Sequence, residues 1–365
     1  MKILTAFSGD TTLYKGDNQM NIKPEISKVP ISDVCQENAK LINTLYEINR
    51  ETAKFYHNYL MSPDGKWAID YLVDRGLTVQ TINHFGLGAS PDGWDLLIKH
   101  LKSKGFLIKD MLAANVIAKS QKGFYYDRFR HRIMFPVIDT NKNVVAFSGR
   151  KMPNDDSESG KYVNTSETPV YKKRENLFGM NFAKSVCEER IILVEGNMDV
   201  ISLHQAGFRN TVAPMGTSLT SEQVSLLAKF TKEIILMFDS DEAGQKATQR
   251  ASELIKNAGL SVKVVAIPKE MGKDPDEFIK KNGKERFEGL LQGAVSDMDY
   301  RFYVAAKGLN LDSDDGKLKF ISRAVQILAS VNDDLARDFY TGKCSDMYGI
   351  SRETLTNKTI KMRFK

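Results

Sequence analysis

Two short β-branched runs, each ending in acid, constrain this chain more than anything else in it. RIILVEG occupies residues 190–196 and EIILMFDSD residues 233–241. Comparable apolar runs fall at 211–214 and 262–267, and helical patterns at 199–205, 221–230 and 244–257 lie between them. Such alternation predicts an α/β fold with a compact, mostly parallel sheet. In open sheets of this kind the carboxyl ends of the strands form the crevice where ligands bind. Glu195, Asp239 and Asp241 fall there, and Asp199, four residues after Glu195, returns to the same area on the following helix. Asp274 and Asp276 in KDPDEF follow the fourth strand. Carboxylates at i and i+2 on a strand end point the same way, so Asp239 and Asp241 can share one ion. Hard oxygen donors suit Mg²⁺. A second ion at Asp274 and Asp276, with Asp199 adding a further oxygen, would allow two metals about 4 Å apart to clamp a phosphoryl displacement. The bland alternative is that these acids are N-caps and first-turn charges of the helices that follow.

At 365 residues the chain is long enough for two or three domains. Its net charge of +6 is mild, but basic residues outnumber acidic ones between positions 119 and 174. That stretch contains YYDRFRHRIMFPV. Read as a strand, it places Arg128, Arg130 and Arg132 on one face and Phe129, His131 and Ile133 on the other. A row of arginines matches a phosphate backbone, although a solvated strand face has the same spacing. The three cysteines, Cys35, Cys187 and Cys344, are far apart and lack zinc-ligand spacing. They are expected to be reduced thiols, with no zinc site. His57, His84, His100 and His204 have no partner motif and read as packing or surface residues. No Walker A, G-x-S-x-G or H-E-x-x-H motif occurs, and no run approaches the roughly 20 apolar residues of a membrane span.

The expected organisation is a linker or tail over 1–30, an N-terminal α+β subdomain with a basic ridge over 31–187, a central α/β domain over 188–289, and a C-terminal helical subdomain over 290–365. Leu41, Leu45, Ile48, Phe55 and Tyr59 mark an amphipathic helix in the second of these. The run PNDDSESG, 153–160, reads as an exposed loop.

E-G at one strand end and D-x-D-x-x-G at another (Asp239, Asp241, Gly244) resemble the Toprim signature. With YYDRFRHRIMFPV, FSGRK, KYVNTSETPVYKK, EGNMDV, APMGTSLT, MFDSDEAG and DPDEF in this order, residues 30 to 365 resemble the RNA polymerase core of bacterial DnaG-type primases. Asn197 departs from the pattern, standing where many relatives carry an aromatic. The resemblance implies a central Toprim sheet and metal-assisted synthesis of RNA primers. The implied partners are a single-stranded DNA template, nucleotide triphosphates and the RNA primer. Glu195, Asp239 and Asp241 become the implied catalytic residues, with Mg²⁺, or Mn²⁺ in its place. Arg128, Arg130, Arg132, Arg150, Lys161, Asn164 and Lys172 become the implied nucleic-acid and nucleotide ridge.

Relatives carry a zinc-ribbon module before the core and a helical domain after it that docks on the replicative helicase. The chain is expected to lack both, so helicase contact is expected only through a domain absent here. A cytoplasmic monomer of the bacterial replisome, with no membrane contact, follows from the same resemblance. Two rivals stay open: a Toprim-type nuclease using the same acids, and a non-catalytic single-strand-binding module.

Overall fold

The structure is a computed structural model that describes residues 31–364 except 154, 156–159, 217, 240 and 269. The expected tail over 1–30 and most of the expected loop over 153–160 lie outside the described residues. The chain divides into a unit of residues 1–40 and a unit of residues 41–365. The described part of the first is the opening of helix α1 (Ile31–Leu60).

In the second unit, α1 presents Leu45, Ile48 and Tyr56 on one buried face. It is followed by α2 (Lys66–Asp74), α3 (Val79–Phe85), β1 (Gly88–Ser90), α4 (Leu96–Ser103) and α5 (Ile108–Ala113). A hairpin, β2 (Ile117–Lys119) and β3 (Tyr125–Asp127), leads to β4 (Arg132–Ile138), β5 (Val144–Lys151) and β6 (Tyr162–Asn164). Strands β1, β4, β5 and β6 form an antiparallel sheet in that order. Alternate residues of β4 enter different cores. Met134 joins Leu45, Leu101 and Phe147, whereas Ile133, Phe135 and Val137 join the core shared with the central sheet.

The second sheet begins with β7 (Leu177–Phe178), α6 (Met180–Ala183), β8 (Ile191–Leu193), α7 (Asn197–Gln205), β9 (Thr211–Pro214) and α8 (Ser221–Leu227). It continues through β10 (Glu233–Leu236), α9 (Glu242–Asn257), β11 (Ser261–Val264), α10 (Pro275–Gln292) and β12 (Val295–Ser296). The order is β12-β11-β10-β8-β9-β7, with the four inner strands parallel and the two flanking strands antiparallel. Continuous apolar runs appear here because both faces are covered. Ile192 and Ile235 pack with Val200 of α7 and Phe278 of α10, while Ile191, Ile234 and Leu236 pack with Val224 of α8 and Ile255 of α9. The expected mostly parallel sheet is thus present. Its two-residue edge strands escape the sequence reading, which places no strand beyond residue 290, because two residues carry no period.

Helices α11 (Asp297–Ala306), α12 (Asp314–Ala329), α13 (Asp334–Tyr348) and α14 (Arg352–Arg363) close the chain around Phe302, Phe320, Leu328 and Leu355. None of the described helices is long and apolar enough to cross a membrane.

Candidate active site

The acids meet at the carboxyl ends of β8 and β10, but not as strand residues. β10 ends at Leu236, so Asp239 and Asp241 stand on the turn into α9. Asp241 is the N-cap of α9, its Oδ1 accepting the Gly244 N–H at 2.7 Å. The shared-face argument for i and i+2 therefore does not carry over, because both residues lie beyond the end of β10. A Cβ on Gly244 would lie 2.0 Å from the Asp239 carbonyl oxygen. Gly244→Ala must therefore shift the turn carrying both aspartates. A displacement of that kind is expected to cost on the order of a hundredfold in the rate of any chemistry in the cleft. Single-turnover kinetics check this, and a wild-type rate would show that the turn does not set the geometry.

Glu195 follows β8, and its Oε1 accepts the Asp239 N–H at 3.0 Å, tying the two acidic segments together. Asp199, buried in the first turn of α7, is a strut. Its Oδ2 accepts the Gly196 N–H at 3.0 Å and its Oδ1 the Asp276 N–H at 3.2 Å. Asp274 is the N-cap of α10, its Oδ1 accepting the Glu277 N–H at 2.8 Å. The capping alternative thus describes Asp241 and Asp274 as they stand, yet leaves each a second oxygen for other work. Asp276 is buried, and its carboxylate is held by Arg75 of the segment after α2, by the Ser202 hydroxyl of α7, and by Lys280 Nζ at 2.5 Å.

An open cleft of about 800 Å³ gathers Asp74, Glu195, Asp199, Asp239, Asp274, Asp276 and Glu277 together with Arg75, Arg150, Lys161, Lys273 and Lys280. Asp241 instead faces a neighbouring hollow of about 320 Å³, which Glu195 also lines. Burial, then Glu195, Asp274 and Asp241, push the Asp239 carboxyl up to about 6. Burial and Asp274 push Asp199 up to about 8, and burial and Asp241 raise Glu195. Clustered carboxylates whose charged forms are disfavoured by burial and by one another suit a hard divalent cation. Among the described residues, no three acidic, histidine or cysteine side chains already stand at coordinating distance from a common point. The donors fit a metal by chemistry and charge rather than by a closed geometry.

The ridge residues divide. Arg150 and Lys161 reach the acidic cleft, Arg150 lying over the rings of Tyr71 and Tyr162 at 5.5 and 5.8 Å. Arg128 and Arg130 are not strand residues. His131 takes φ 50°, in the left-handed region, and breaks the alternation before β4 starts at Arg132. Arg128 donates to the Asn164 carbonyl at 3.2 Å and to Ser166 Oγ at 3.1 Å, which brings Asn164 beside it. Arg130 stacks on Trp94 at 4.1 Å and lies 5.2 Å from the centre of the Tyr126 ring. Arg132 is buried and donates to the carbonyls of Gly149 and Gly160, contacts that brace the sheet. Lys172 pairs with Glu175 at 3.2 Å and does not line the cleft.

Sequence reasoning passed over Arg75, Lys273 and Lys280. Lys273 directly precedes Asp274 and Lys280 follows Asp276 by one helical turn, so both were within reach of a local reading. Arg75 carried no such signal. The histidines are packing residues as expected: His204 is buried with Nε2 2.8 Å from the Thr211 carbonyl, and His57 lies 2.7 Å from that of Leu87. Cys187 and Cys344 are buried free thiols.

Three families match consecutive parts of the chain. "DNA primase catalytic core, N-terminal domain" covers residues 55–184, "Toprim-like" 192–279, and "DnaB-helicase binding domain of primase" 298–353. The last corrects the expectation that helicase docking lies wholly outside this chain, since the matched region is α11 to the start of α14. The DNA primase of Clostridium acetobutylicum is 40% identical over 320 residues, which are 87% of this chain and 52% of that protein. The chain spans about half the length of the curated relatives it matches. A crystal structure of a DNA primase domain from Pseudomonas aeruginosa is similar at 34% identity and TM-score 0.70, covering 86% of this chain and 99% of that one. The RNA polymerase domain of Mycobacterium tuberculosis primase, in complex with a double-stranded DNA oligomer with a 6-nucleotide overhang, is similar at 32% identity and TM-score 0.76. That likeness covers 85% of this chain and 98% of the other.

Proposed function

This chain belongs to the bacterial DnaG-type primase family, and from that we propose that it synthesises short RNA primers on single-stranded DNA. The observation that carries the reading is a cleft lined by acids and cations together. Glu195, Asp239 and Asp274 line it with Arg150, Lys161 and Lys273, and none of these six has an ion-pair partner among the described residues. A nuclease needs the acids alone, whereas a polymerase must also seat a triphosphate.

The family implies use of a divalent metal. In this reading Glu195, Asp239, Asp241 and Asp274 hold Mg²⁺, or Mn²⁺ in its place, which stabilises charge at the attacked α-phosphate and eases loss of the hydroxyl proton. Asp199 and Asp276, whose oxygens are taken by backbone N–H groups, Arg75, Lys280 and Ser202, keep the acidic segments in register. Arg150, Lys161 and Lys273 bind the triphosphate. The O3′–Pα bond forms as the bond from Pα to pyrophosphate breaks, and the hydroxyl proton passes to solvent. Catalysis is then chiefly positioning and electrostatics.

Trp94, two-thirds exposed, stacks on Arg130 beside Tyr126, a surface that suits unpaired template bases. Residues 31–187, 188–289 and 290–365 serve as template and nucleotide ridge, Toprim domain and helical subdomain in this account. Residues 298–353 are the proposed contact with a replicative helicase, and the site of action is the cytoplasmic replisome.

The test is incubation with single-stranded DNA, labelled ribonucleoside triphosphates and Mg²⁺ or Mn²⁺, resolved on a denaturing gel. Template-dependent products of a few to tens of nucleotides are expected. Metal-dependent shortening of the DNA without incorporation would replace this reading with the nuclease.

A further inference from the structure

The smaller hollow holds Asp241 and shares Glu195 with the large cleft. It lies on the other side of Glu195 from the large cleft, between the segment that follows β9 and the face of α9. Its walls are apolar, with Pro214, Leu219, Phe238 and Ala247. Ser218 and the exposed Arg250 stand at its rim, and Glu195 and Asp241 form the end shared with the acids. Among the described residues Arg250 has no ion-pair partner. The two hollows therefore differ in kind. In the large one Arg75 and Lys280 are paired with Asp276, which leaves Arg150, Lys161 and Lys273 to meet a group of several negative charges. The small one has a single cation and a volume of about 320 Å³, near the lower end of the roughly 300–1,000 Å³ of ligand pockets. A triphosphate would lose its hydration there with one arginine in return, whereas a sugar and base edge would cover the apolar walls at little cost.

We propose that the small hollow receives the terminal nucleoside of the growing strand, the one bearing the attacking 3′-hydroxyl, with Arg250 meeting the phosphodiester behind it. The inference rests on the polymerase reading and adds a place for the second reactant. Glu195 lines both hollows, so a hydroxyl held in one and an α-phosphate held in the other meet at that carboxylate. No additional chemistry is required of the hollow, which only binds and aims.

Two measurements on the full chain test this. An oligoribonucleotide with a 3′-terminal 4-thiouridine, annealed to a DNA template, is photocrosslinked to the wild-type protein and the attachment site is mapped. This readout needs no turnover, so it stands apart from whether the chain polymerises at all. Attachment to Pro214, Gly216, Ser218 or Leu219, or to residues 243–251, is expected, and attachment confined to the Arg150 and Lys161 wall overturns the proposal. In steady-state extension, Arg250→Ala is expected to raise KM for the annealed primer about tenfold and to leave the Kd for a ribonucleoside triphosphate, measured without primer, within about twofold. Ala247→Leu, which fills the hollow from a different residue, is expected to do the same. Equal weakening of primer and triphosphate, or no change in primer KM with either folded variant, contradicts the assignment.

Discussion

Glu195→Gln and Asp239→Ala are each expected to reduce nucleotide incorporation by on the order of a thousandfold or more while the chain stays folded. Glutamine keeps a carbonyl oxygen to accept the Asp239 N–H now bound by Glu195 Oε1 at 3.0 Å, so the link between the segments after β8 and β10 survives and only the charge is lost. The Asp239 side chain makes no hydrogen bond among the described residues, so its truncation strands no partner. Folding raises its carboxyl from its usual 3.8 to about 6. In the metal-free chain the charged form is therefore disfavoured by folding. That cost is present above pH 6 and relieved as pH falls toward 3.8. Asp239→Ala should accordingly raise the metal-free Tm at pH 7, by about 1–2 °C after allowing for the side chain's partial exposure. Calorimetry with and without Mg²⁺, alongside the gel assay, checks both halves. A variant that unfolds, or one that still makes primers, would remove these residues from the catalytic role.

Asp276→Ala is the second large effect, and it falls on stability. The carboxylate answers Arg75, Lys280 and the Ser202 hydroxyl from a buried position. Removing it leaves two cations packed at the cleft wall without the carboxylate that pairs with both. Breaking a buried pair in this way typically costs about 3–5 kcal/mol, and because Arg75 and Lys280 each keep about a third of their exposure, roughly 2–3 kcal/mol is expected here. Ser202→Ala should cost only about 1 kcal/mol. Denaturant unfolding of Asp276→Ala, Arg75→Ala and the double variant measures the coupling. Additive losses from the two single changes would mean the pair does not act as a unit.

The central sheet was readable in the sequence because four apolar runs each feed two cores, Ile191 and Leu193 to one face and Ile192 and Val194 to the other. The acids were readable because they sit where those runs stop. Their division was not. Nothing in the spacing of MFDSDEAG says that the chain turns after Leu236, making Asp241 a cap and sending it to a different hollow from Asp239. The strand alternation in the ridge was misread for a comparable reason. RFRHR matches a strand until one residue, His131, adopts positive φ, with its ring stacked on Trp67 and its N–H on the Pro91 carbonyl. The role of Arg75 was invisible because its partner lies 201 residues away.

That separation also orders events during synthesis. The wall of the cleft needs α2 and the start of α10 together, and at about 5–20 residues per second the ribosome supplies the second roughly 10–40 s after the first. Until then Arg75 and Ser202 wait without the carboxylate that joins them, and the early acids Glu195 and Asp199 lack Asp274 and Asp276. A chain that stops before α10 therefore carries an incomplete cleft.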